Sequence, residues 1–501
     1  MSQAAIDPGF GHPDSRPKID SVIIALGAGV VLGLILIAQG RTTDKQFTHP
    51  MHSPNDRSRF ATIRALGDNG TYAIGEINDD GTYVTGSIIA EPGWDTIDKV
   101  RRPETRLAYS SKPPLLPTVL AYEYMLLRKI PTFSYSQDEG WHKTGNLTFD
   151  RHPLALVRII VATANWVPLL IFLILFSRML DRLTQDLWVR AFTLAAAAGG
   201  TYLSGFSVTL NNHTVAAFCA FFAFYPVLLA WMDDADEPWL FAVAGFFASL
   251  AAVLELPALA LAAALFVALF WKRAAKTLLC FVPFALLPLA AHCYTNYQVT
   301  GSLMPAYGEK GWYVFEGSYW KIDPANGRLV GSSKDAATGE LILADPKGID
   351  NQYEPWWTYL FHMLLGHHGF FTLTPIFVFS IIGLALAWSQ GEPEWKAVAA
   401  LVVGLTLLIV AFYTIAPVFG MAQRNYGGRC NGFRWLFWLI PLWLVFLPRG
   451  LEWKASCRGF RLIASILLVI SAASAFYASR NPWTPPWLHE LLYQTGWIPY
   501  L

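Results

Sequence analysis

A carboxylate at the start of an amphipathic segment is the first candidate for chemistry. Asp56 directly precedes residues 58–68, where apolar side chains recur at helical spacing and indicate a surface helix. A carboxylate at a membrane surface can act as a general base that takes the proton of a hydroxyl group. The structural alternative is that Asp56 or Ser58 is the N-cap of this helix. One residue can fill both roles.

A lysine followed by two prolines is the second candidate. Lys112 precedes Pro113 and Pro114, whose fixed φ angles suit a first helical turn, and we expect a helix over 113–128. Lys112 would then lie beside free backbone N–H groups, where a phosphate binds readily. The alternative is a lysine that only extends its ammonium group to the membrane surface.

Four further residues lie at the ends of apolar segments. Arg429 and Arg434 flank such a segment, and arginine can grip a phosphate with two parallel N–H donors. His213 can carry a proton near neutral pH. Placing the charge of Glu255 within a membrane costs free energy, so its presence there indicates a function. The structural alternatives are surface anchoring for the arginines, a capped histidine, and a glutamate close enough to a helix end to reach water.

Metal and nucleotide sites have no sequence support. His362, His367 and His368 are candidate ligands, but a spacing of i and i+5 does not place two side chains on one helix face. The chain has no HExxH, CxxC or GxxxxGK[ST] motif. We therefore predict no metal ligand and no cofactor, and a divalent metal stays an unsupported alternative.

The composition identifies the environment in which these residues must act. Of 501 residues, 54% are hydrophobic and 15% charged, whereas soluble domains carry about 25% charged residues. Such a chain is typical of a polytopic membrane protein. The formal net charge of +1 gives no general attraction to nucleic acids, and five cysteines do not form a disulfide framework.

Hydropathy predicts an all-α bundle of about eleven membrane-spanning helices, since each span needs about 20 mostly apolar residues. The predicted spans are 21–39, 154–176, 191–208, 214–231, 239–255, 257–271, 277–295, 370–388, 396–416, 433–447 and 460–478. We expect one transmembrane domain over 1–478, followed by a tail over 479–501.

Basic residues in the short connections predict the orientation, because such residues stay on the cytoplasmic side. A cytoplasmic N-terminus places thirteen of them inside: Arg16, Lys18, Arg178, Arg182, Arg190, Lys272, Arg273, Lys276, Lys396, Arg449, Lys454, Arg458 and Arg461. The long segments 40–153 and 296–369 and the tail then lie outside. Residues 58–68 and 113–128 become interfacial helices on that outer surface.

The first outer segment resembles that of the GT-C membrane glycosyltransferases, in particular the protein O-mannosyltransferases and lipid A aminoarabinose transferases. Those proteins read roughly Asp-Glu-x-Arg-Tyr-Ala, then Lys/His-Pro-Pro-Leu. Asp56 and residues 59–61 match the first block, and residues 112–115 match the second. Arg57 stands where that family has its second carboxylate. Further along, Arg434 resembles an arginine of a Pro-Arg-Tyr motif.

The resemblance implies a GT-C-like bundle in a bacterial plasma membrane that acts in cell-envelope synthesis. It would move a sugar from a polyprenyl-phosphate donor to a hydroxyl of an extracytoplasmic acceptor, either lipid, glycan or protein. Asp56 would be the general base, and Lys112 would stabilise the leaving phosphate with Arg59, Arg429 or Arg434. The alternatives are a transporter or flippase of a lipid-linked precursor, and a non-catalytic relative that lost its second carboxylate.

Overall fold

The protein is described by a computed structural model. It covers residues 16–38, 51–138, 140–324, 327, 329–334, 341–343, 355–415, 426–427 and 430–499, and of these only the backbone is described for 16, 17, 333, 334 and 341–343. Arg429, predicted to bind phosphate, lies outside the described residues.

Helices dominate the described residues. In chain order, α1 to α19 are Arg16–Ile37, Pro54–Asn69, Leu115–Leu127, Pro153–Val161, Val167–Leu183, Leu187–Gly199, Tyr202–Phe206, Asn212–Met232, Pro238–Leu254, Leu259–Lys276, Val282–Thr300, Trp356–Leu364, Phe370–Leu373, Phe377–Gln390, Pro393–Ile415, Ile440–Leu444, Leu447–Glu452, Arg458–Arg480 and Trp487–Gln494.

Six helical segments of the described chain are long and apolar enough to cross a membrane. They are Lys18–Ile37, Pro153–Leu183, Asn212–Met232, Leu256–Thr300, Pro393–Ile415 and Arg458–Arg480. Shorter apolar helices include Pro238–Leu254, Phe377–Gln390 and Arg434–Leu444. The chain is therefore a multi-pass membrane protein, and helices coincide with each of the predicted spans, although several are shorter than the sequence suggested.

The 45-residue segment Leu256–Thr300 is a pair of antiparallel helices rather than one rod. Its backbone leaves the helical region at Arg273, with φ −148° and ψ 69°. The rings of Phe266 and Phe281 lie 5.7 Å apart, whereas fifteen residues of straight helix would separate them by about 22 Å. The chain therefore turns back at this point, as the sequence predicted for the two spans 257–271 and 277–295.

Ion pairs gather the basic connections at one end of the bundle, which we call the basic end. Arg190 of α6 pairs with Asp20 of α1 and with Asp181 of α5. Lys272 of α10 pairs with Asp234 in the connection between α8 and α9. Opposite charges attract most strongly when water is excluded, so these contacts hold the neighbouring helix ends together.

The opposite end, the loop end, carries most of the non-helical structure. Among the residues that the structure describes there, the short strands β1 to β8 are Gly75–Glu76, Lys99–Arg101, Leu107–Ser110, Pro131–Ser136, Gly140–Asn146, Trp320–Ile322, Leu329–Lys334 and Leu341–Leu343. They form an antiparallel sheet in the order β1-β3-β2, a β4-β5 hairpin and a sheet in the order β6-β7-β8. The all-α expectation is corrected here: the described chain is mostly helical but also has strands, and the strand residues Val100 and Tyr109 pack with Val299 of α11 in a small apolar core.

Two glycines allow close packing deep in the bundle. Gly383 of α14 and Gly450 of α17 face each other's helix backbones, and a methyl group at either one would overlap a carbonyl oxygen, of Phe446 or Phe379 respectively. Small residues let membrane helices approach until their backbones touch. This contact fixes the C-terminal helices against the rest of the bundle.

Candidate functional site

The N-terminus of α2 holds Asp56 in a capping box. Ser53 is the N-cap, and its hydroxyl accepts hydrogen bonds from the N–H groups of Asn55 (3.1 Å) and Asp56 (3.3 Å). The Asp56 carboxylate returns a bond by accepting from the Ser53 N–H at 2.7 Å. Such reciprocal capping satisfies free N–H groups at both ends of the first turn. The helix thus begins earlier than predicted, and its N-cap is Ser53 rather than Asp56 or Ser58.

Both oxygens of Asp56 have several hydrogen-bond donors. Oδ1 accepts from Ser53 N, from Ser53 Oγ at 2.9 Å and from Arg57 N at 3.0 Å. Oδ2 accepts from His52 N at 2.8 Å and from Thr209 Oγ1 at 2.9 Å. An ionised carboxylate offers about four lone-pair positions, so five donors fill its capacity. The side chain is 1% exposed.

Arg59 lies one turn further along α2 and is 2% exposed. Its guanidinium donates to the side chain of Asn55 and, at 2.5 Å, to Asn212 Oδ1 at the start of α8. Burial lowers the pKa of Arg59 to about 10, which keeps the side chain charged near neutral pH. No described carboxylate forms an ion pair with it, so neutral amides hold a buried positive charge in place.

Lys112 follows strand β3 at the entry to α3. Its ammonium nitrogen lies 3.1 Å from Asp98 Oδ2, and its own N–H donates to Ser110 Oγ at 3.1 Å. Burial lowers the pKa of Lys112, an effect that the carboxylate of Asp98 opposes. The lysine is therefore a positioned cation with a counter-ion, whereas the sequence had indicated only its place before a helix.

Arg434 approaches from the C-terminal part of the chain. Its guanidinium lies over the ring of Trp483, 4.9 Å from the centroid, and over that of Trp435 at 5.3 Å. Trp483 donates to Thr209 Oγ1 at 3.1 Å, the same hydroxyl that donates to Asp56. Within the described part of the chain, no carboxylate pairs with Arg434. Aromatic faces attract a cation without neutralising it.

Three cations from distant parts of the chain thus converge, and we call Arg59, Lys112 and Arg434 the cation cluster. Arg59 and Arg434 are close enough to repel each other electrostatically, and both repel Lys112, while the carboxylate of Asp98 attracts both Arg59 and Lys112. Like charges held together are unfavourable, and an anion between them removes the repulsion. The cluster is therefore suited to bind a phosphate group.

His213 and Glu255 form a second pair beside the cluster. Glu255 Oε1 lies 2.5 Å from His213 Nδ1, and each side chain is buried. Asn212, which accepts from Arg59, also donates to Glu255. The edge of His213 meets Trp435 with ring centroids 5.5 Å apart. The other described site residues are therefore joined to one another through a few intervening side chains, whereas Lys112 contacts Asp98 and Ser110.

Several site residues had no signal in the sequence. Asp98 and Thr209 are ordinary polar residues between predicted elements, and they gain importance only because folding brings them to Lys112 and Asp56. Trp483 lies in the tail, far along the chain from Arg434, and nothing in its spacing links the two. In the sequence, only the neighbouring Trp435 indicates that aromatic rings surround the guanidinium of Arg434.

The histidines considered as metal ligands are brought together elsewhere. His367 and His368 are fully buried, their Nδ1 atoms are 2.5 Å apart, and the His367 ring meets His489 with centroids 4.8 Å apart. Burial and neighbouring imidazoles lower the pKa of both His367 and His368. No group of three or more His, Cys, Asp or Glu residues in the described ranges has the geometry to hold a metal ion.

Two cavities lie away from the cation cluster. One, of about 390 Å³, lies at the basic end between Arg182, Trp395 and Glu452. The other, of about 430 Å³, is an apolar groove between α1, α6 and α18 that includes Val30, Ala198 and Phe476. Neither is lined by a predicted site residue.

Comparisons with known proteins give a structural likeness but no sequence match. No protein-family model matches the chain, and no curated protein matches it. Among solved structures, the chain is similar to the apo form of the oligosaccharyltransferase of Archaeoglobus fulgidus, with 12% sequence identity and a TM-score of 0.43. The alignment covers 93% of this chain and 56% of that protein, so the chain spans little more than half of its length.

Proposed function

We propose that the protein is a glycosyltransferase that moves a sugar from a polyprenyl-phosphate donor to a hydroxyl group of an acceptor. The observation that carries this proposal is the cation cluster at the loop end, where Arg59, Lys112 and Arg434 repel one another. A phosphate group is the anion that arginine and lysine bind best in this arrangement.

The reaction needs charge stabilisation at the departing phosphate. The acceptor oxygen forms a bond to the anomeric carbon while the bond from that carbon to the phosphate oxygen breaks. The phosphate keeps the electron pair and gains negative charge in the transition state. Preorganised cations stabilise such developing charge strongly where water is excluded. We assign this role to Arg434 and Arg59, with Lys112 beside them.

We assign a positioning role to Asp56, which the sequence had indicated as the general base. Five donors already occupy its two oxygens, so an acceptor hydroxyl could bind only after one of them left. The same bonds begin α2 and thereby place Arg59 one turn later. In this proposal Asp56 holds the helix that carries the phosphate-binding arginine.

We further propose that the loop end faces the extracytoplasmic side. The basic end holds Arg182, Arg190 and Lys272, and basic connections remain cytoplasmic. Helix α3 exposes an apolar face through Val119 and Tyr122, which suits a helix lying in the membrane surface. The sugar would then be transferred outside the cytoplasm.

The test uses the purified full-length protein in nanodiscs with radiolabelled polyprenyl-phosphate hexoses and pentoses. Release of polyprenyl phosphate, as its sugar passes to an added acceptor or slowly to water, is the expected result, and Arg434→Gln should reduce it. A protein that binds the donors without releasing polyprenyl phosphate would instead favour the transporter. A protein that neither binds nor cleaves any of them would contradict the proposal.

A further inference from the structure

A histidine and a glutamate beside the cation cluster form a pair that phosphate binding does not require. His213 lies in the first turn of α8, after the N-cap Asn211, and Glu255 lies at the C-terminal end of α9. Both side chains are 4% exposed or less. Two helix ends that meet at one point therefore bring together a carboxylate and an imidazole.

Burial of an ionised carboxylate is unfavourable by several kcal/mol unless partners surround it. Glu255 has two such partners, because Asn212 Nδ2 donates to it and His213 Nδ1 lies 2.5 Å from Oε1. Asn212 also accepts from Arg59. The pair is thus connected to the phosphate-binding arginine through a single amide.

The contact with Glu255 determines which ring nitrogen of His213 is basic. Nδ1 lies 2.5 Å from Oε1 without hydrogen-bond alignment. At that distance two facing lone pairs would repel strongly, so we place the proton of the neutral ring on Nδ1 and the lone pair on Nε2. A carboxylate at Nδ1 also stabilises the imidazolium that forms when Nε2 takes up a proton. This is the arrangement by which histidine is oriented as a general base.

Aromatic packing keeps the imidazole next to the phosphate-binding residues. Trp435 meets His213 at 82° and stacks on Tyr413 with centroids 4.9 Å apart. The guanidinium of Arg434 lies over the same Trp435 ring. One tryptophan therefore separates the imidazole from a cation that we assign to the leaving phosphate.

We propose that His213 is the general base that deprotonates the acceptor hydroxyl, and that Glu255 orients it. The inference rests on the glycosyltransferase function proposed above. As the acceptor oxygen bonds to the anomeric carbon, its proton moves to Nε2 of His213, and the phosphate departs with the electron pair of the broken carbon–oxygen bond. The imidazolium then returns the proton to solvent. Asp56 has no free lone pair for this step, whereas the neutral ring of His213 has one.

The experiment separates donor binding from transfer. We expect His213→Ala to lower the transfer rate about 10²- to 10⁴-fold, the usual contribution of a general base, while binding of polyprenyl phosphate changes less than about twofold. Added imidazole should restore part of the transfer, with a pH dependence that follows the free imidazole. A purely structural histidine would not give that pH dependence.

Matched variants complete the test. Glu255→Asp should retain more activity than Glu255→Gln, mainly in kcat, because a carboxylate still holds Nδ1. His142→Ala, on the β4-β5 hairpin, serves as a control and should behave as the parent. Normal transfer by His213→Ala would overturn the inference and leave the proposed function standing. A parent protein with no transfer from any donor would overturn both.

Discussion

Replacement of Arg434 by glutamine gives the cleanest measure of the cation cluster. In the described chain, this arginine contacts the rings of Trp435 and Trp483 but no carboxylate. Its removal therefore leaves no buried counter-ion without a partner. Lys112→Gln, in contrast, would leave Asp98 unpaired, and its effect on binding would be mixed with a loss of stability.

The magnitude follows from the contacts that a phosphate would make. Hydrogen bonds to charged groups contribute about 1.5–3 kcal/mol, and each 1.4 kcal/mol corresponds to a factor of about ten in affinity. Arg434→Gln should therefore weaken the binding of polyprenyl phosphate roughly 10- to 150-fold. Because Arg434 is partly exposed, solvent screening favours the lower part of this range. Loss of the contacts with two rings should lower the free energy of unfolding by only about 1–2 kcal/mol.

The assay is a titration of nanodisc-embedded protein with polyprenyl phosphate, followed by intrinsic fluorescence or isotope retention. Arg434→Lys should weaken binding less than Arg434→Gln, because it keeps the charge. Arg182→Gln at the basic end removes a comparable charge from an ion pair with Asp233 and should leave the affinity unchanged. An affinity of Arg434→Gln within about twofold of the parent would refute the assignment of this arginine to the phosphate.

Three further results are expected. Asp56→Ala should lower the unfolding temperature in a thermal-shift assay, because it removes the buried carboxylate of the α2 capping box, a loss of about 1–2 kcal/mol. Asp80→Ala at an exposed position should have little effect. Affinity for polyprenyl phosphate should fall as the pH rises through the pKa of Lys112. This fall should occur at a lower pH than for an ordinary lysine, because burial depresses that pKa. Lys112→Arg should move the fall in affinity to higher pH, and an unchanged dependence of affinity on pH would contradict this role of Lys112. Gly450→Leu should abolish folding or the yield of monodisperse protein, because the backbone of Gly450 touches that of α14. Gly404→Leu is the control and should be tolerated, because a Cβ at Gly404 would meet no atom within 4 Å.

The sequence predicted the apolar helices well because a membrane imposes a strong and local constraint. About twenty apolar residues are needed for each span, and that requirement is visible in every segment by itself. The turn at Arg273 was also predictable, since basic residues interrupt the apolar run there. The short strands were missed because their pairing joins residues such as Lys99 and Ser110, which lie in polar stretches without an alternating pattern.

The candidate site was predictable in part for a different reason. Asp56 and Lys112 were conspicuous because each precedes a predicted interfacial helix, and Glu255 because charged residues within apolar segments are rare. Their hydrogen-bond partners were not, because partners such as Thr209 are common residue types. The capping role of Asp56 depends on Ser53 three residues earlier, and the sequence did not distinguish that cap from one further along the helix.

The charge pattern of the site favours the product of the proposed reaction over its donor. Asp98 forms an ion pair with Lys112, Asp56 accepts hydrogen bonds in the capping box of α2, and Glu255 lies against Nδ1 of His213. The two arginines of the cation cluster, held by amides and by aromatic rings, are the cations of this site that no described carboxylate pairs with.

A sugar phosphodiester brings one negative charge, whereas the departing phosphate monoester acquires nearly two. Two arginines that form no direct ion pair with a described carboxylate would therefore gain more attraction as the bond breaks than they had in the ground state. Interactions that strengthen towards the transition state are the ones that accelerate a reaction. The same pairing scheme, in which no described carboxylate forms an ion pair with either arginine, would thus provide the differential binding that the proposed glycosyl transfer requires.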